Sequence, residues 1–390
     1  MASYISSNNN RFYTAVEAAY GNAAPVTAQS RIPAVRLLAK QKTERPKRKD
    51  KTGTRGYPGD PAGLRRSTAF GLTTYMTAWD QQTQPPPHAP LFEAALGGSP
   101  QLWAGGTVTV APGSTTVSFA APHGLAPGQA ITVGGEMRFV AAVASATAVV
   151  VNAPFAISPP ADATAGPTTT FPPANALPSV TVYDYWDPAT ALQRVLVGAA
   201  VNELDMKVNG DYHEFQFTGQ AADLLDSVSF TAGQGGLGQF PAEPAVNPFD
   251  YTIIPGHLGE VWLGAIPNQF LTVTAAEVSI NNALDLRVTE FGSMLPRATA
   301  AGNRTVSLKL SLYEMDDEAT QMLYQAARQR SPMAAMLQLG NQAGELFGIY
   351  IQSVIPEVPE FEDREVRLQW KFGESLGQGA NNNDIFIAFG

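Results

Sequence analysis

Alternation of apolar and polar residues is the dominant pattern of this chain. From Leu64 to Met76, Phe70, Leu72 and Met76 fall on one side and Arg65, Ser67 and Tyr75 on the other. A period of two is that of a strand buried on one face. Ala34–Lys40 reads as an earlier strand, and residues 41–63 between the two are basic and rich in Gly and Pro. The pair predicts a hairpin whose loop far exceeds the common two to five residues, and loops of that length tend to be functional or to order against a partner. Strands are also expected at Ser179–Tyr185, Leu192–Val197, Glu203–Val208 and Tyr212–Thr218. Asn209-Gly210 would form the tight turn between the last two, because a type I′ turn needs residues tolerant of positive φ.

A second run of strands follows. Val306, Leu308, Leu310 and Leu312 alternate with Thr305, Ser307, Lys309 and Ser311, so Arg304–Tyr313 is expected to pair with Ala276–Val288. Met333–Leu339, Leu346–Val354 and Glu365–Phe372 complete the set, with Val366, Leu368, Trp370 and Phe372 on one face of the last. Only two helices are expected. Pro90–Leu96 has Pro in a tolerated first-turn position and stops at Gly97-Gly98. The other is capped by Asp316 or Asp317 and runs to about Arg330, with acids first and Arg328 and Arg330 last, as the macrodipole prefers.

Residues 104–157 differ in texture: Ala, Val, Gly and Thr with few charges, and short strands at Val117–Phe119, Ala130–Val133, Arg138–Val140 and Ala148–Val151. They read as a small β-barrel or sandwich inserted into a larger unit. Residues 158–178 read as a low-complexity linker, and 231–255 as a second, Gly/Pro-rich one. The remainder, 1–103 with 179–230 and then 256–390, shows one order twice: strand, long loop, strand, short helix, strands. Even the leading segments correspond, Arg11–Ala15 in the first half and Glu260–Gly264 in the second. A duplicated unit is expected.

Composition narrows the chemistry. The 390 residues include no Cys, 35 Gly and 30 Pro, and charged residues make up 15%, against about 25% in average soluble chains. Without Cys there are no disulfides and no thiolate chemistry. His88, His123, His213 and His257 lie far apart, so no His-rich metal site is expected. No apolar run reaches membrane-spanning length, and the N-terminal residues lack the pattern of a secretory signal. Gly233-Gln-Gly235-Gly-Leu-Gly238 matches GxGxxG, but a dinucleotide site needs a helix next, and Pro241, Pro244 and Pro248 follow. Asp316-Asp-Glu318 reads as a helix cap before a metal site, and Glu357, Glu360, Glu362 and Asp363 as a solvated acidic turn or contact. No GxSxG, HExxH or Walker loop is present. No catalytic residue, cofactor or metal is expected, and the chain does not read as an enzyme.

Net charge is −9, yet ten Lys/Arg against three Asp/Glu lie between Lys40 and Arg66. The candidate contact residues are Lys40, Lys42, Arg45, Lys47, Arg48, Lys49, Lys51 and Arg55. Three readings apply: phosphate neutralisation on nucleic acid, a solvated loop, or pairing with an acidic surface of another copy. The acidic remainder and the scarcity of aromatics other than Tyr57 weigh against nucleic acid. Self-association, steered by charge separation, is the preferred reading. A carbohydrate-binding alternative would use Tyr183, Tyr185 and Trp186 as an aromatic platform.

Several stretches resemble tail tube proteins of long-tailed, siphovirus-like bacteriophages. Ser30-Arg-Ile-Pro-Ala-Val-Arg-Leu37, Lys51-Thr-Gly-Thr-Arg-Gly-Tyr-Pro-Gly59, Gly63-Leu-Arg-Arg-Ser-Thr-Ala-Phe70 and Thr74–Trp79 look like the opening hairpin. Val201–Gly219 looks like the closing hairpin, and Ala276–Asn282, Pro296-Arg297, Ser307–Tyr313 and Arg367–Phe372 resemble the unit again. The resemblance covers most of the chain outside about 104–178. It implies a mainly β fold: two tandem β-sandwich, tail-tube-like domains, each with a flanking α-helix, plus the inserted all-β module displayed outward. It further implies trimeric rings with pseudo-sixfold symmetry, stacked into a tube and joined through the basic loop. The implied partners are further copies, a tape-measure protein, a tail terminator and baseplate proteins. DNA would cross the lumen without specific binding, past a wall that the net charge suggests is acidic. The implied place is the virion tail, assembled in the bacterial host cytoplasm, with no membrane. A tail terminator or a baseplate hub is the nearest competing role.

Overall fold

The computed structural model describes residues 4–246, 252–364 and 366–390. Residues 247–251 of the expected second linker, and Glu365 at the head of the last expected strand, lie outside them. Strands dominate, with two α-helices among the described residues. In chain order the first elements are β1 (Asn10–Val16), β2 (Ala34–Thr43), β3 (Arg66–Tyr75) and α1 (Ala89–Leu96). Next come β4 (Gly106–Val110), β5 (Thr116–Phe119), β6 (Ala130–Val133), β7 (Glu136–Ser145), β8 (Ala148–Val151) and β9 (Ala163–Gly166). Then follow β10 (Thr168–Phe171), β11 (Val180–Trp186), β12 (Arg194–Val208), β13 (Glu214–Ala221) and β14 (Asp223–Asp226). The later part has β15 (Gly259–Gly264), β16 (Val273–Asn281), β17 (Thr305–Tyr313) and α2 (Glu318–Gln329). It closes with β18 (Met333–Leu339), β19 (Phe347–Ile355), β20 (Glu360–Glu362), β21 (Gln369–Gly377) and β22 (Phe386–Phe389).

Pairing is antiparallel and follows one scheme twice. β1 pairs β11, β11 pairs β12, and β12 leads through β13 and β3 to β2. In the later part β15 pairs β18, β18 pairs β19, and the end of β19 leads through β21 and β17 to β16. β12 and β16 join the two sets, from Glu203 opposite Asn281 to Val208 opposite Ala276. One long sheet therefore reads β2-β3-β13-β12-β16-β17-β21-β20. Its register puts Thr43, Arg66, Asn281 and Thr305 at one end, and Ala34, Val273, Tyr313 and Gln369 at the other.

β12 is a correction to the reading of two strands, Leu192–Val197 and Glu203–Val208. It is one strand of 15 residues that turns between layers at Gly198, whose φ of 65° suits a residue without Cβ. Its first part pairs β11 and β14, and its second pairs β13 and β16. Asn209 does take positive φ, but the last β12–β13 pair is Lys207 with Glu214. The connection is thus a loop and no two-residue turn, and Tyr212 bridges instead to Pro255. β16 stops at Asn281, short of the expected Val288. Val366 and Leu368 of the expected last strand are exposed, whereas Trp370 and Phe372 are buried.

β4 to β9 close into a six-stranded barrel with its own apolar core of Val108, Val117, Ile131, Val149 and Ala165 among others. β9 lies in the stretch read as a linker, as does β10, which pairs β22. Thr168-Thr-Thr-Phe171 escaped notice because its Ala/Pro/Thr surroundings look featureless, although β-branched Thr suits a strand.

One apolar core spans both sets of strands, and α1 sits inside it. Leu91, Phe92, Ala94, Ala95 and Leu96 are all fully buried, so α1 does not flank the fold. α2 matches a surface helix: Asp317 caps it, accepting from Thr320 N at 2.7 Å, and Leu323 and Ala327 face inward.

His88, at the head of α1, is fully buried against Phe389 and Phe215 and donates from Nε2 to Tyr75 O at 3.0 Å. Burial pushes its pKa down to about 4. The unfolded chain protonates it near pH 6.5, so above that pH the neutral ring's contribution is complete. It is lost as pH falls from about 6.5 to about 4, by about 3 kcal/mol. Unfolding midpoints measured across that window should show the slope, and His88→Leu should flatten it.

Candidate functional site

The eight candidate bases divide into two groups. Lys40 and Lys42 lie on β2, opposite Ala69 and Ser67 of β3. Arg45, Lys47, Arg48, Lys49, Lys51 and Arg55 lie in an irregular, exposed arm at residues 44–65. The arm carries some of its own order: Arg48 donates to Asp50 at 2.6 and 3.0 Å, Arg45 pairs with Asp60 at 3.6 Å, and Tyr57 hydrogen-bonds Asp60. The Arg48 hydrogen bond also holds the Asp50 carboxyl below its ordinary pKa. Among the described residues, no ion pair engages Lys47, Lys49, Lys51 or Arg55.

A second arm, residues 282–304 between β16 and β17, packs beside the first. Arg65 Nη2 donates to Thr289 O at 3.1 Å, and Arg66 N donates to Met294 O at 2.9 Å. Its tip presents Phe291, 99% exposed, and Met294, 53% exposed. Neither residue stands out in the sequence, since both lie beyond the expected strand Ala276–Val288. An apolar residue in a loop gives no periodic signal.

Both borders of the long sheet are open among the described residues. β2 has a ladder only with β3, and β20 only with β21. Beside β2 stand Arg36, Lys40 and Lys42, and beside β20 stand Glu357 and Glu360, all exposed. Glu362 is already engaged by Lys371 and Arg364, and the Lys371 hydrogen bond lowers its pKa.

The solvent face of the long sheet carries charges of both signs. Glu203, Asp205, Glu214, Glu277, Glu360, Glu362 and Glu374 stand there with Arg36, Lys40, Lys42, Lys207, Lys309 and Lys371, seven acids against six bases. Lys309 bridges Glu277 at 3.3 Å and Glu374 at 3.8 Å, and its pKa is raised by the Glu277 hydrogen bond. The other positions are mostly Ser, Thr, Gln, Gly and Ala: a nearly neutral polar surface.

The remaining motifs have structural roles. Gln234–Gly236 is a single 3-10 turn, with no helix following through Val246. Tyr183 and Tyr185 are each 2% exposed and stack at 5.7 Å, so they form no platform. Asp317 is spent on the α2 cap. Among the described residues no group of His and carboxylates could hold a metal, and no helix is long and apolar enough to cross a membrane. No protein-family model matches the chain, and no curated protein matches it either.

Proposed function

We propose that this chain is a structural subunit of a tail-tube-like assembly: two tandem sandwich units per chain, three chains per ring, and rings stacked around a channel for DNA. The observation that carries this reading is the doubled strand scheme ending in two open borders. Within the chain, β12 of the first unit pairs β16, the first hairpin strand of the second. β20 occupies the place of β12 in the second unit, and β2 occupies the place of β16 in the first. The same join, repeated between copies, sets β20 of one against β2 of the next and leaves neither border of the long sheet open, which removes the hazard of unpaired strands there. Glu357 and Glu360 would then meet Lys40 and Lys42, and opposite charges across strands favour that register. The neutral polar sheet face suits a channel that DNA crosses without adhering.

The natural absence of Cys makes the test clean. Lys40→Cys with Glu360→Cys, the pair that this join sets directly opposite each other, should, under oxidation, give covalent oligomers ending at three chains, since a disulfide demands Cα atoms within about 7 Å. A monomer that never cross-links overturns the reading. Closed rings that never stack would indicate a terminator-like role instead.

A further inference from the structure

Four apolar side chains are exposed together at the end of the long sheet opposite the arms. Leu271 is 85% exposed, Met315 49%, Leu368 36%, and Val366 is fully exposed. Their segments are tied side by side: Tyr313 N donates to Thr272 O at 3.0 Å, and Glu314 N donates to Leu368 O at 2.9 Å. Apolar clusters rimmed by polar groups mark interaction surfaces. The rim here is acidic, with Asp316, Glu318 and Asp363 all exposed. The two bases nearby are occupied, Arg364 with Glu362 at 3.6 Å and Arg367 over the Tyr313 ring at 5.2 Å.

The other end of the same sheet carries the complement. Phe291 and Met294 project from the second arm, which the base of the first arm holds through Arg65 and Arg66, and that first arm carries Lys47, Lys49, Lys51 and Arg55, none of them in an ion pair among the described residues. Apolar meets apolar and basic meets acidic only when copies face the same way along the strand direction.

We infer that the patch of Leu271, Met315, Val366 and Leu368 is the receptor for the paired arms of a second copy, with Phe291 as the anchor. This rests on the stacked-ring reading and assigns its axial contact. The contact is heterologous, so it does not close and propagates along an axis. The bases act chiefly by steering the approach, which makes assembly salt-sensitive.

The test uses the full chain in two blocked forms, Phe291→Asp and Leu271→Asp/Met315→Asp. All three positions are exposed, and circular dichroism checks the fold. Each form alone should remain as single rings, with the concentration needed for stacking raised about tenfold or more. Mixed in equal amounts they should form ring pairs and stop, because one free arm set meets one free patch. Sedimentation velocity and negative-stain imaging read both outcomes. As an independent arm, Lys47→Glu/Lys49→Glu should block stacking, and Asp316→Lys/Asp363→Lys in its partner should restore it. Stacking by either blocked form at the unaltered chain's concentration, or no pairs in the mixture, overturns the inference. If the unaltered chain forms no rings at all, the tube reading fails by itself. Pairing of the two blocked forms as single subunits then still decides the contact.

Discussion

Phe92→Ala should destabilise the whole chain by about 3–5 kcal/mol, the range for emptying a large buried aromatic site. Phe92 stands at the middle of the fold. Its ring lies 5.5 Å from Phe171 and Phe347, 5.2 Å from Phe215, 5.4 Å from Phe217 and 5.6 Å from Phe389. Those partners come from β10, β13, β19 and β22, so the cavity would loosen strands from both ends of the sequence at once. A single denaturation transition should therefore shift as a unit, whether followed through Trp79 in the first half or Trp370 in the second. A transition that splits, with Trp370 unmoved, would mean that the halves are energetically separate despite their shared core.

The reach of that core was only partly visible in the sequence. Period-two runs such as Phe70-Gly-Leu72 and Val306–Leu312 give their strands plainly, because one face is buried and the other is not. The Gly97 stop of α1 and the Asp317 cap of α2 are equally legible. What α1 packs against was not, although Pro90-Leu-Phe-Glu-Ala-Ala-Leu96 is apolar on nearly every side and such helices are buried ones. The resemblance to tail tube proteins implies a place on the outside, and the burial of Leu91, Phe92 and Leu96 overturns that. β12 was divided because Gly198-Ala-Ala200 has no alternation, and its residues there are buried on both faces. β22 went unread since four residues after an Asn run carry no period, and it gains its place only by pairing β10 and β19. For the candidate site, the basic arm was legible from composition alone. Which charges it could meet was not, because the acidic rim draws on residues 316, 318 and 363, brought together only by the sheet.

A second large effect is expected where the inserted barrel meets the later strands. Arg138 of β7 has a fully buried side chain, with Nη2 bonded to Glu136 and 3.4 Å from Glu260 of β15. It also donates to Met137 O at 2.6 Å and Pro154 O at 2.9 Å, and its guanidinium lies 4.8 Å over Trp262. Gln338 reinforces the same seam, accepting from Met137 N at 2.6 Å and donating to Gly135 O at 3.0 Å. Burial lowers the Arg138 pKa, and the two carboxylates oppose that shift. Removing one member of a buried ion cluster leaves charge without compensation, typically a loss of about 3–5 kcal/mol. Arg138→Met should lose about that much, measured by denaturant unfolding. Glu136 has other partners, accepting from Ala156 N at 2.7 Å and Ile157 N at 2.8 Å, so its charge stays in place. Glu260 has the Trp262 indole N–H at 3.0 Å and is partly exposed, which makes it the member that can be neutralised. Adding Glu260→Gln to Arg138→Met should recover part of the loss, because the stranded charge falls from two carboxylates to one. If the double variant is no more stable than Arg138→Met alone, packing against Trp262 and Phe155, and not charge compensation, holds the barrel to the sheet.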